Sequence, residues 1–208
     1  MRQQPTRDLY AYWNELRNER AAPERVDFDP VAIRGLLGTT FMLEVDAAAT
    51  YPVRVSSTSI NNLFDRELRG NSFVDLFAAH ERGQVTRLCA TISDDTVAVV
   101  AGLQGGPDGE TPASLEMLLL PLRHRGKTHA RIVGAIVAAA SPAWLGLVAI
   151  AHLSLCSMRI VIPDASASRD PQRAQVIRRD SRMQFPGDHL FAAPLVRRGH
   201  LSLYQGGK

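Results

Sequence analysis

Six histidines, two cysteines and a string of arginines are the residues of this 208-residue chain whose types and spacing could do chemistry. His124 and His129 flank "RGKT" and could meet across a tight turn, as two ligands of a metal clip would. No third ligand stands near them in sequence, so the pair reads as two turn histidines. Arg178, Arg179 and Arg182 form an R-R-x-x-R string, and guanidinium forks suit phosphate groups. "GLQGGPDGE" is glycine-rich, but it lies between two predicted strands rather than ahead of a helix. A hairpin turn is its reading, not a phosphate cradle. The chain holds no G-x-S-x-G, no Walker loop and no His-Glu-x-x-His, so nothing in it points to catalysis.

Bulk properties set the frame for these residues. With 45% hydrophobic and 22% charged residues, the chain is globular and able to bury a core. The formal charge is only +3 and is unevenly placed. From Arg159 onward there are nine Arg or Lys against four Asp, behind a slightly acidic body. That imbalance is too weak to call for nucleic acid as a partner. Cys89 and Cys156 are the only cysteines, which excludes a disulfide framework or a paired zinc motif and fits a reducing, cytoplasmic setting. The N-terminus opens Met-Arg-Gln-Gln-Pro and shows no apolar signal core. Residues 132–151 carry no charge over a length that could span a membrane. Pro142 interrupts the run, and Val133, Ala135 and Val137 alternate, so a buried strand, a turn at Ser141-Pro142-Ala143 and a second packed piece are expected.

The elements that must position these residues follow from periodicity. Leu9, Tyr10, Trp13 and Leu16 fall at helical spacing in an amphipathic helix over 6–19, stopped before Pro23. Asp29-Pro30 is expected to open a second short helix ending at Gly38. Strands are predicted over 40–45 and 52–57, with Val53 and Val55 on one face. Three helical pieces follow over 59–64, 72–77 and 79–92, then strands over 96–103, 112–122 and 131–140. The expected class is α+β: a five-stranded antiparallel sheet in the order β-β-α-α-α-β-β-β, with helices over one face. The parts are a helical extension (1–38), the sheet domain with a following apolar segment (39–162) and a basic tail (163–208). Sheet and helices would enclose an apolar interior lined by Phe41, Val55, Phe64, Phe73, Leu88, Val99 and Leu119, with Leu76 and Phe77 also turned inward.

The strand-to-helix junction "YPVRVSSTSINNLFDRELRGNSFVDLF" at 51–77 resembles a PAS domain. It is most similar to the single-domain PAS variant abundant in alphaproteobacteria. Arg54, Thr58, Leu63, Phe64, Arg66, Glu67, Leu68, Gly70 and Phe73 match that family's signature. Ser57 and Asp65 depart from it, since the family places Gly at both positions. "LYAYWNELRNERAAPER", "RIVGAIVAAASPAWLG" and "RRGHLSLYQGGK" resemble its flanking patterns.

The resemblance implies a sensory or protein-interaction module, not an enzyme. On this reading the ligand is unknown, and haem or a small apolar molecule would fit. His80, expected at the start of the long helix, is the candidate haem contact, as histidines serve in some PAS proteins. The implied partners are a second copy or a signalling protein such as a histidine kinase, with neither nucleic acid nor a membrane span. Leu9, Trp13 and Leu16 are the candidate self-association or docking face, the other expectation being that their helix packs on its own sheet. A scaffold with a fully self-packed core is the alternative to a ligand sensor. The arginine string also resembles the paired arginines of cyclic-dinucleotide receptors. The Asp/Asn-x-Ser-x-x-Gly motif of those receptors does not follow, so a solvated basic tail is expected, led by a mobile linker over 163–187.

Overall fold

In the computed structural model, residues 1–107, 109–124, 127–161, 196–198 and 201–203 are described. The N-terminal amphipathic pattern forms α1 (Gln4–Arg17), with Pro5 in its first turn, where a missing N–H costs nothing. The helix ends at Asn18, whose φ of 51° turns the chain away. The second helix expected after Asp29 does not form. Asp29 accepts the Val31 N–H, and the following bonds, Val31 to Arg34 and Ile33 to Leu36, span three residues rather than four. With Gly35 and Gly38 in this stretch the chain makes successive turns, closing on a 3-10 turn at Leu37–Thr39.

The sheet has six strands, one more than expected. They are β1 (Thr40–Glu44), β2 (Val53–Ser56), β3 (Ala98–Gly106), β4 (Ala113–His124), β5 (Lys127–Ala138) and β6 (His152–Val161). All neighbours are antiparallel, in the order β2-β1-β5-β4-β3-β6. Between β2 and β3 the chain forms α2 (Thr58–Leu63), a 3-10 turn at Val74–Leu76, and α3 (Arg82–Asp95). A short hairpin, β7 (Val196–Arg198) with β8 (Leu201–Leu203), forms a separate two-stranded sheet. The arginine string at 178–182 and the expected linker over 163–187 lie outside the described residues. So does the side chain of His129, and with it the expected histidine pair.

Two apolar layers sandwich the central strands. Phe41, Val99, Met117, Leu119 and Ile136 face α2 and α3 on the inner side. Val100, Leu118, Leu120, Val133 and Ala135 face Leu9, Trp13, Phe28 and Ile33 on the outer side. Burial of β5 on both faces is why residues 132–138 read as a charge-free run. No helix among the described residues is long and apolar enough to cross a membrane.

Candidate functional site

The interior is built around a glycine. Phe41 on β1 pairs with Gly134 on β5, and a Cβ placed on Gly134 would fall well inside van der Waals contact of the Phe41 ring. The ring therefore lies directly over the bare backbone. Phe73 stacks on Phe41 at 5.4 Å between centroids and 20° between planes. Phe77 meets Phe73 edge-on at 5.5 Å and 69°. Both are preferred aromatic geometries. Val53, Ile60, Leu68, Leu76 and Ile136 close the crevice beside Phe41 and Phe73, leaving no room for a water molecule. Leu88, Val99, Leu119 and Phe64 belong to the same buried cluster.

Val55 does not join them; it is 57% exposed. Leu43 pairs with Val53 while Met42 pairs with Val55, so Arg54 is an extra residue in β2. That bulge reverses the side-chain phase, leaving Val53 inward and Val55 outward. Ile60, Ile136 and Gly134 are the contributors that sequence reasoning missed. Ile60 sits at a burial-compatible position of α2, but the approach of Gly134 to Phe41 depends on a strand register that no local pattern fixes.

His80 also stands apart from the interior. Long helix α3 begins at Arg82, and the His80 side chain is 81% exposed, with Nε2 3.8 Å from a Glu81 carboxylate oxygen. The residues before α3 are drawn instead toward β6. Ala78 donates its N–H to Leu153, and the Glu81 carboxylate accepts the Leu155 N–H at 2.9 Å. His80 is thus a surface imidazole, outside the buried interior.

Of the signature residues, Leu68 and Phe73 line the crevice and Phe64 is buried in the same cluster, while the polar ones lie around it. Arg54 pairs with Glu44 at 2.9 Å, and Arg131 holds the other carboxylate oxygen at 3.0 Å. Ser57 has φ −72° and caps α2, accepting the Ile60 N–H and donating to the Gly38 carbonyl. The following residue, Thr58, opens the helix. Glycine's freedom is not needed at Ser57. Asp65 does occupy a glycine-like conformation, with φ 47°. Glu67 accepts from Asn61 Nδ2 and the Arg69 N–H, while Asn61 Oδ1 accepts from Ser56 Oγ and the Leu68 N–H. The Arg66 N–H donates to the Asn61 carbonyl. Gly70, at φ 84°, donates to Val53, and Leu63 accepts from Ile150. These bonds press Leu68 and Phe73 onto the sheet.

Leu9 and Trp13 are fully buried, and they face this chain's own sheet. Trp13 Nε1–H donates to the Pro121 carbonyl at 2.8 Å, and Leu16 packs at the margin of the same cluster. The docking face expected on α1 is therefore occupied from within. Burial raises the Cys89 thiol far above its usual range, so this cysteine is a packing residue.

The pattern that defines the PAS domain family matches residues 1–137. No curated protein matches the chain. Solved structures that resemble it include the light state of the blue-light photoreceptor Aureochrome1 LOV, at 14% identity and a TM-score of 0.41, covering 56% of this chain and 91% of that one. A PAS domain from Colwellia psychrerythraea aligns at 9% identity and TM-score 0.41, covering 53% and 97%. An RNA-binding Light-Oxygen-Voltage receptor aligns at 13% and 0.39, covering 60% of this chain and 36% of the other. On the family match, the chain belongs to the PAS domain family and carries a signal-sensing domain of the α+β class.

Proposed function

We propose that the chain is a regulatory PAS module that works through protein contacts in a cytoplasmic signalling pathway, with an interior filled by its own side chains and no catalytic role. The observation that supports this reading is the Phe41–Phe73–Phe77 stack on Gly134, which occupies the space between sheet and helices. A partner of the histidine-kinase type, or a second copy, is the expected counterpart. A sensor of a small apolar molecule is the second reading, favoured by the wholly apolar crevice walls. Native and denaturing mass spectra of the purified protein, with a visible absorbance scan, separate the two. The self-packed reading expects the polypeptide mass in both spectra and no visible band. Excess mass lost on denaturation, or a visible chromophore, would favour the sensor.

A further inference from the structure

The sheet ends on an edge that is only half covered. β6 is an edge strand, and it lies beyond the residues that match the family pattern. Backbone groups along a strand point alternately to one neighbour and to the other. In the first half of β6 the outward groups are met. The Leu153 carbonyl accepts the Ala78 N–H, and the Leu155 N–H donates to the Glu81 carboxylate. Gly102 pairs with Ser157 and Leu103 with Leu155, so Cys156 is an extra residue that shifts the phase. Met158 and Ile160 are then the outward residues of the second half, and no described residue bonds to their outward N–H and C=O groups.

Cations flank that half on the outer side of the sheet. Arg159 is exposed and pairs with Val100, whose side chain belongs to the outer cluster. Arg2 and Arg7 stand nearby. The Arg7 guanidinium donates to the Arg2 carbonyl, and the Arg2 N–H donates to Glu116, whose strand partner Gly102 pairs in turn with Ser157. The pKa of the Met1 ammonium is lowered from its usual value, by burial first and next by the charge of Arg159, with Arg7 and Arg2 adding to it. Arg2, Arg7 and Arg159 are exposed, and none of them forms an ion pair with a described residue. Glu116, the acid beside them, is already held by the Arg2 and Gln3 N–H groups and the Thr6 hydroxyl.

We propose that the open half of β6, residues 158–161, is a docking edge for an extended acidic segment of another protein, which adds as a further strand and sets carboxylates against Arg159, Arg2 and Arg7. This deepens, and rests on, the reading of the chain as a module that works through protein contacts. Charge selects the occupant. The chain's own tail is a poor match, since from Arg159 onward there are nine Arg or Lys against four Asp. A second copy paired about Arg159, the register that engages Met158 and Ile160 of both strands, sets Arg159 against Arg159. An acidic strand meets neither obstacle. Its alternate residues extend the row of Met158 and Ile160, which pack at the margin of the inner cluster.

The probe is a short synthetic peptide alternating Glu with Val, added to the full chain. Bound peptide should slow hydrogen exchange at the Met158 and Ile160 amides and leave α3 amides unchanged. Ile160→Pro removes an outward N–H without touching the bonds to β3, a change that edge strands tolerate. It should weaken binding about tenfold, the worth of one net hydrogen bond. Arg159→Glu, at an exposed position, should weaken binding at least as much, and a peptide with Lys in place of Glu should not bind. Slow labelling of buried Cys89 verifies that both variants are folded. Equal affinity for the native protein and Arg159→Glu, or for the Glu and Lys peptides, overturns the proposal. So does unchanged exchange at Met158 and Ile160. Protection of these amides without peptide that falls on dilution assigns the edge to a second copy and overturns it too. In each case native mass spectra showing only the polypeptide leave the self-packed module reading standing, whereas excess mass lost on denaturation removes that reading by itself.

Discussion

Gly134 carries more of this structure than its size suggests. Its missing side chain admits the Phe41 ring, and Phe73 backs that ring from the other side. A methyl group at 134 has nowhere to go unless both rings shift. Gly134→Ala is expected to cost about 1–3 kcal/mol in denaturant melts, as overpacking does. Adding Phe41→Leu should recover part of that loss, a coupling that a double-mutant cycle would read directly. Asp65 offers the opposite case. It sits at φ 47°, in the left-handed region that favours glycine, so Asp65→Gly should stabilise the fold by up to about 1 kcal/mol. A drop in melting temperature for that variant would mean that the Asp side chain does more than occupy the turn. At this scale the sequence was informative wherever residue type alone decides. Phe73, Phe77 and Gly70 could be placed from their types, whereas Val55 could not, because a one-residue bulge reversed its phase.

Strands joined by short turns were legible as elements, and the strand that pairs with a distant partner was not. Leu153 and Leu155 alternate inward, but the next inward residues are Met158 and Ile160, so β6 breaks the period of two. The cause is a register shift opposite Gly102 and Leu103. Missing β6 also displaced the expected start of α3. Residues 78–81 reach for Leu153 and Leu155 before the helix begins. The Glu81 carboxylate is the tie that can be cut with least disturbance. Glu81→Gln should weaken the bond to the Leu155 N–H by about 1–2 kcal/mol, within the range for hydrogen bonds to charged groups. Faster exchange at that amide, with α3 amides unchanged, is the expected result. Equal exchange in both proteins would show that β6 is held by its pairing with β3 alone.

For the whole molecule, the decisive feature is a sheet covered on both faces by segments from the same chain. The N-terminal helix, readable from its spacing as amphipathic, carries no information about which surface it covers. That surface is Leu118, Leu120 and Val133 of its own sheet. The helices after β2 cover the other face, and their aromatic residues fill the space where a ligand would sit. Such an interior accords with the module proposed above, which works through protein contacts. Denaturant melts of Phe73→Ala, with Phe73→Leu as a milder partner, test this most directly. Phe73 is 1% exposed and touches aromatic rings on two sides, so truncation to Ala should cost about 3–5 kcal/mol, with Leu falling between Ala and the native residue. A folded Phe73→Ala protein that loses less than about 1 kcal/mol would contradict a self-packed interior and return the crevice to the status of a ligand site.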